Sequence, residues 1–227
     1  MNKFLELSNI SKTFGTSKNL KVLKNLSYNF KKGKIYSLMG PSGSGKSTLL
    51  NIISLIDKPS NGFIKFNKYQ INYNEKEQND LLRAKKIGIV YQQNNLLPDF
   101  TSLENIYLAS LSINNNKNLA IFKAKQLLKK IGLSNRADHY PSQLSGGEAQ
   151  RIAIARAIIN DPEIILADEP TGSLDIKTAK IIFKLLKDQK RSDRLIIFAT
   201  HNRFFANKAD CLLELNDGNI KTINARV

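Results

Sequence analysis

Apolar positions along the 227-residue chain change rhythm several times, and each change predicts an element. Over residues 3–30 they alternate with polar ones, as at Leu5 and Leu7 and again at Leu26, Tyr28 and Phe30, which predicts antiparallel strands around a polar loop at 15–21. Residues 34–39 read as a buried strand, residues 48–56 as an apolar helix, and residues 62–66 and 86–91 as further strands. From 96 to 133 the period becomes helical. Leu119, Phe122, Leu127, Leu128 and Ile131 make one face, with Lys123, Lys125, Lys129 and Lys130 largely elsewhere, and the loop at 114–117 separates two helices. A helix follows from Ser145 to Ile159, then a strand at 163–169, a helix over about 176–190, a strand at 194–200 and a closing hairpin around Asn216, Asp217 and Gly218. The succession predicts an α/β fold: a mainly parallel sheet with flanking helices, an N-terminal antiparallel β layer and an inserted helical subdomain.

Between the strand at 34–39 and the helix after it lies GPSGSGKST, residues 40–48, which fits G-x-x-x-x-G-K-[ST]. A triphosphate needs many donors in a small volume and no bulky side chains near them. Gly43 and Gly45 can adopt positive φ and let successive amides converge, Lys46 reaches the β- and γ-phosphates, and the Ser47 hydroxyl suits Mg²⁺. Gly40, Pro41, Ser42, Ser44 and Thr48 complete the loop, so the α/β core is expected to be of the P-loop NTPase type, with ATP and Mg²⁺ as ligands.

Three later stretches carry chemistry. In LSGGEAQ, residues 144–150, Ser145 is a good N-cap, Glu148 supplies the capping-box acid, and Gly146 and Gly147 leave the helix amides open to an anion. The strand at 163–169 ends in Asp168, suited to Mg²⁺ through water, and Glu169, suited to orienting and deprotonating a water. Gln92 and His201 each directly follow a predicted strand. Phe14, at the end of the β layer, is accounted for equally by stacking on a purine and by packing against its neighbour strand.

A net charge of +16 raises the possibility of nucleic-acid binding. The excess, however, comes from 27 Lys against 8 Arg scattered through the chain, with Asn (25) and Ile (26) also enriched, a profile expected of an AT-rich genome. A dedicated phosphate or base reader would favour clustered Arg, so no nucleic-acid partner is expected; attraction to anionic lipid is the functional alternative. The single Cys211 excludes an internal disulfide framework and fits a reducing compartment. No apolar run approaches the ~18 residues that span a bilayer, so a soluble chain is expected, with any membrane role supplied through a partner.

The order of these motifs, from phosphate loop through Gln92, LSGGEAQR, IILADE and SLD to His201, resembles the nucleotide-binding subunit of ATP-binding-cassette (ABC) systems over essentially the whole chain. The resemblance implies residues 1–95 and 160–227 as catalytic core and 96–159 as helical signature subdomain. It implies a head-to-tail homodimer in the ATP state, in which Ser145, Gly146 and Gly147 complete the site of the other copy. It also implies Gln92 as a contact to Mg²⁺ and the attacking water, Asp175 as a link between the two sites, His201 as a γ-phosphate contact and Phe14 as the adenine-stacking aromatic. Phe14 stands where the family more often has Tyr, and Asn202 where it often has Asp, which puts the support of His201 in question. Residues 91–105 are similar to those of lipoprotein-releasing-system ATPases of the LolD type; macrolide-exporter and cell-division ATPases share much of this segment. The function so implied is ATP hydrolysis that drives integral membrane permease subunits from the cytoplasmic face of the inner membrane. A soluble cassette protein acting on ribosomes or DNA usually carries two cassettes or a long coiled coil, and a small-molecule kinase would lack LSGGEAQR. Residues 93–105 are expected to dock on the membrane partner, exposing Leu96, Leu97 and Phe100.

Overall fold

The computed structural model describes residues 4–15 and 20–225; residues 16–19 of the expected polar loop lie outside the described residues. In chain order the elements are β1 (Leu5–Phe14), β2 (Leu20–Phe30), β3 (Ile35–Met39), α1 (Lys46–Ile53), β4 (Asn61–Phe66), β5 (Tyr69–Gln70), α2 (Lys76–Lys86) and β6 (Ile87–Val90). They continue with α3 (Ser102–Leu111), α4 (Lys117–Lys130), α5 (Gly146–Ile158), β7 (Ile164–Asp168), α6 (Ile176–Lys187), β8 (Leu195–Ala199), α7 (Arg203–Ala206), β9 (Cys211–Asn216) and β10 (Asn219–Ala225). Two compact units divide the chain, Met1–Asp80 with Lys190–Val227, and Leu81–Gln189.

In the first unit β1 is an inner strand of an antiparallel layer ordered β2-β1-β4-β5. Leu5, Leu7 and Ile10 are buried, and the register shift between Leu7 and Ile10 brings Ile10 to the same buried face despite its odd spacing. β3 is a parallel strand paired on both edges, with β8 (Ile35 opposite Ile196) and with β9 (Tyr36 opposite Cys211). Pairing on both edges explains the unbroken burial from Ile35 to Leu38, the continuous apolar run expected of an interior parallel strand. β9 and β10 close the unit as a hairpin whose turn residues Asp217 and Gly218 have φ of 47° and 74°, the positive values a type I′ turn needs.

In the second unit β6 and β7 pair in parallel, Ile87 opposite Ile164 and Val90 opposite Ala167. Helices α3, α4 and α5 enclose an apolar core that includes Ile106, Leu128, Ile131, Ile152 and Ile159. The α4 face differs from the expected one. Ala120, Ala124, Leu128 and Ile131 are buried, while Leu119 and Phe122 are 39% and 60% exposed. Both sets obey the helical period; the close approach of neighbouring helices selects the alanine stripe, because small side chains leave room for a neighbour's larger ones.

Residues 96–101 are also not helical, contrary to expectation. Thr101 caps α3, its hydroxyl accepting from Glu104 N while the Glu104 carboxylate accepts from Thr101 N at 2.8 Å, and this reciprocal box sets the helix start. Helix α2 escapes a reading by periodicity because none of its residues is buried. Among the described residues no helix is long and apolar enough to cross a membrane.

Candidate functional site

The phosphate loop lies in the first unit, between β3 and α1. Gly40 is held against the backbone of β9: a Cβ there would lie 2.2 Å from Leu215 O, so no side chain fits. Gly45 is the N-cap of α1 at φ 99°, and Gly43 has φ 77° with open space where a Cβ would stand. Gly43 is therefore needed for its backbone conformation and Gly40 for room. The helix opens at Lys46, two residues earlier than the apolar pattern indicates, so the lysine belongs to its first turn. Lys46 Nζ donates to Gly40 O at 2.8 Å and Pro41 O at 2.9 Å, which holds the ammonium inside the curve of the loop. Ser44 Oγ is buried with no hydrogen-bond partner. A cation, an unused hydroxyl donor and the uncapped amides of a helix N-terminus, walled by glycines, fit an anion of phosphate size. Pro41, Ser42 and Ser47 are exposed, and Thr48 is half-buried.

His201, exposed beyond the end of β8, lines with Gly40 and Pro41 one cleft of about 510 Å³ in this unit. The Asn202 side chain accepts from Phe204 N at 2.9 Å and caps α7, a position where Asn and Asp are equivalent. Phe14 is 44% exposed, with Lys12 Nζ 5.0 Å from the ring centroid. The ring presents open surface and is not consumed by packing.

The second unit carries the acids and the glycine-rich helix start. Asp168 ends β7 half-buried, and Glu169 follows at φ 45°, a conformation rare for a residue with a side chain. The turn after it is closed by Gly172 N donating to Glu169 O at 3.0 Å. A Cβ on Gly172 would stand 3.4 Å from Gln92 Nε2 and 3.5 Å from Glu169 Cβ, so Gln92 and Glu169 converge over this glycine. Asp175 caps α6, accepting from Lys177 N and Thr178 N at 2.9 and 3.0 Å, and its bonds to Thr178 hold its pKa below the usual carboxylate value.

Ser145 caps α5 as the sequence indicates, its hydroxyl accepting from Glu148 N while Glu148 accepts from Ser145 N at 2.9 Å. The two glycines that follow serve different ends. A Cβ on Gly147 would meet Thr178 Cγ2 at 2.3 Å, so Gly147 admits the neighbouring helix, whereas Gly146 is exposed with its nearest neighbour at 3.5 Å. Gly146 is thus the residue that leaves the helix N-terminus open from outside. The Ser145 amide, Arg136 at 2.9 Å and the Ser145 hydroxyl draw the Glu148 pKa down to about 2. A depressed carboxylate contributes stability that is full above its unfolded value of 4.5 and is lost as pH falls toward 2. The thermal midpoint of the wild type should therefore drop more steeply from pH 5 to pH 2 than that of Glu148→Gln, which caps without titrating. Parallel curves would remove Glu148 as the source.

Sequence reasoning passes over two residues that shape the segment after Gln92. Asn105, buried in α3, and Arg156 in α5 both hydrogen-bond its backbone. Leu97 and Phe100 are exposed at 43% and 39%, as expected of a docking stretch, whereas Leu96 packs against the helical core.

Comparison with known proteins accords with this geometry. The sequence profile of the ABC transporter family matches residues 23–172. The lipoprotein-releasing system ATP-binding protein LolD of Rickettsia bellii is 44% identical over 219 residues, covering 96% of this chain and 97% of that protein. The LolD of Ehrlichia canis is 42% identical over 226 residues, covering 99% of this chain and 100% of the relative. The macrolide export ATP-binding/permease protein MacB of Mannheimia succiniciproducens is 39% identical over 95% of this chain but only 34% of its own length. Among solved structures, the ATP-binding cassette MJ0796, as a dimer in a post-hydrolysis state bound to ADP and Pi, superposes with a TM-score of 0.90 at 38% identity, covering 98% of this chain and 100% of that one. With the profile matched from β2 to the turn after Glu169 and the relatives aligned nearly end to end, this chain belongs to the ABC transporter family, as an ATP-hydrolysing subunit.

Proposed function

We propose that this chain is the ATPase of a bacterial complex that releases lipoproteins from the inner membrane toward the outer membrane. It works as a homodimer in the ATP state, bound at the cytoplasmic face through integral permease subunits. The observation that carries the reading is the likeness, nearly end to end, to LolD proteins. Residues 1–95 and 160–227 serve as catalytic core and 96–159 as signature subdomain. Residues 40–48 hold the phosphates, with Lys46 as the mobile charge, and Phe14 stacks on the adenine. Ser47, Gln92 and Asp168 hold Mg²⁺, which when bound neutralises charge on the phosphates. Glu169 takes the proton of the attacking water, and His201 contacts the γ-phosphate. Ser145, Gly146 and Gly147 complete the second copy's site, and Asp175 links the two. A macrolide-exporter-like complex is the second reading, favoured by the likeness to MacB.

Reconstitution separates the two readings. In proteoliposomes with its permease subunits, the chain should release a lipoprotein on addition of ATP; macrolide export without lipoprotein release would replace this reading with the second. Residues 97–100 form the docking surface for the permease. Leu97→Asp or Phe100→Asp should detach the chain from membranes while ATP binding and basal hydrolysis persist, because an unpaired charge in an apolar contact costs about 2–5 kcal/mol. Variants that stay membrane-bound, or that unfold, would show the surface to be wrongly assigned.

A further inference from the structure

Residues 91–101, between β6 and α3, form no helix or strand, yet three side chains hold their backbone. Gln150 Nε2, from α5, donates to Tyr91 O at 3.2 Å, next to Gln92. Further along the same helix Arg156 donates through Nη1 to Asn95 O and through Nη2 to Asn94 O, each at 2.7 Å. Asn105 of α3 accepts from Leu97 N at 2.8 Å and donates toward the carbonyls of Leu97, Phe100 and Thr101 at 2.9–3.1 Å. Asn94 and Asn95 have φ of 56° and 47°, two successive left-handed residues, a conformation unfavourable without a compensating contact. The compensation is visible: their consecutive carbonyls converge on a single guanidinium. A planar fork with fixed donors matches two oxygens at once; a lysine ammonium does so poorly.

We infer that Arg156 is a positioning residue: it fixes the path of the chain from Gln92 to the exposed Leu97 and Phe100, and it ties that path to the helix that begins at Ser145. A displacement of residues 97–100 is then delivered to Gln92 and, through the interior of α5, to the open helix end at Gly146. Asn105 keeps the outer part of the segment in shape, so a push on it is not absorbed locally. The inference rests on the roles proposed above for Gln92 and for residues 97–100.

The test is a double-mutant cycle on the purified full chain with Arg156→Lys, Gln92→Ala and the pair. Arg156→Lys should slow steady-state ATP hydrolysis about tenfold or more, as misplacement of a catalytic group does, with KM for ATP changed less than about twofold. Amide exchange of residues 93–97 should accelerate while that of β3 and α1 stays unchanged. The double variant should be no slower than Gln92→Ala alone, since both changes act through one segment. Full turnover with unchanged exchange in Arg156→Lys overturns the inference, as do multiplying effects in the double variant. Slowing that only tracks a lower thermal midpoint, with faster exchange throughout α3 and α5, overturns it too. If the lysine variant does not fold, Asn95→Pro asks the same question from an exposed position, because proline cannot adopt φ 47°. Wild-type turnover in Asn95→Pro overturns the inference; a loss matching that of Gln92→Ala supports it. Gln92→Ala with wild-type turnover overturns instead the role of Gln92, and the exchange measurement then decides on the clamp by itself.

Discussion

Lys46→Ala should bind ATP about a hundredfold or more weaker than the wild type. Hydrogen bonds to charged groups contribute about 1.5–3 kcal/mol each, and the ammonium is the one mobile cation of the loop, placed to make at least two of them. A loss of about 3–5 kcal/mol corresponds to about two to four decades in Kd. The loop itself also depends on this side chain, since Nζ bridges Gly40 O and Pro41 O. Lys46→Met separates the two contributions by keeping the apolar stem while removing the charge, and it should lose nearly as much affinity as the alanine variant. Titration of the purified variants with a fluorescent ATP analogue reads the effect, and a thermal melt checks the fold. Near-normal affinity in a folded Lys46→Ala chain would sink the role assigned to the lysine and, with it, the placement of the phosphates.

Features that depend on near neighbours along the chain are legible in the sequence alone. The phosphate loop, the capping box of Ser145 and Glu148, the type I′ turn at Asp217 and Gly218 and the two acids at the end of the β7 strand are each specified within a few residues. The Thr101 and Glu104 capping box is equally local, and a search for Ser or Thr three residues before Glu moves the start of α3 to its true place. What depends on distant partners is not legible in this way. Arg156 bonds carbonyls 61 and 62 residues away in sequence, and nothing near it announces them. The buried face of α4 departs from expectation because bulk does not mark burial there, whereas Ala120 and Ala124 are what let neighbouring helices close in. Gly147 shows the same limit from another side. Its sequence context suggests only that both glycines keep the amides open, but Thr178 stands where its side chain would be, so Gly147 is needed for helix packing as well.

Glu169→Gln should retain ATP binding and lose turnover by about two to four decades, the usual contribution of a positioned general base. The substitution tests chemistry and little else. An amide is nearly isosteric with a carboxylate, and the left-handed backbone at Glu169 is fixed by the turn through Gly172 N and Glu169 O, not by the side chain's charge. Gln92, which converges with Glu169 over Gly172, should keep its position, so a loss of rate reports the missing proton acceptor rather than a displaced neighbour. If two copies close on ATP and open when it is hydrolysed, blocking hydrolysis should trap the closed form. Light scattering of the variant in Mg-ATP should then give twice the mass seen without nucleotide, whereas the wild type should show this only transiently. The double substitution Ser145→Arg with Glu169→Gln should stay monomeric, because a bulky side chain at the open end of α5 blocks approach of the second copy's phosphates while residues 40–48 keep their own sequence. Turnover undiminished in Glu169→Gln would remove the general base from this position. Turnover lost with only monomer at every ATP concentration would leave the base in place and overturn the paired-copy arrangement.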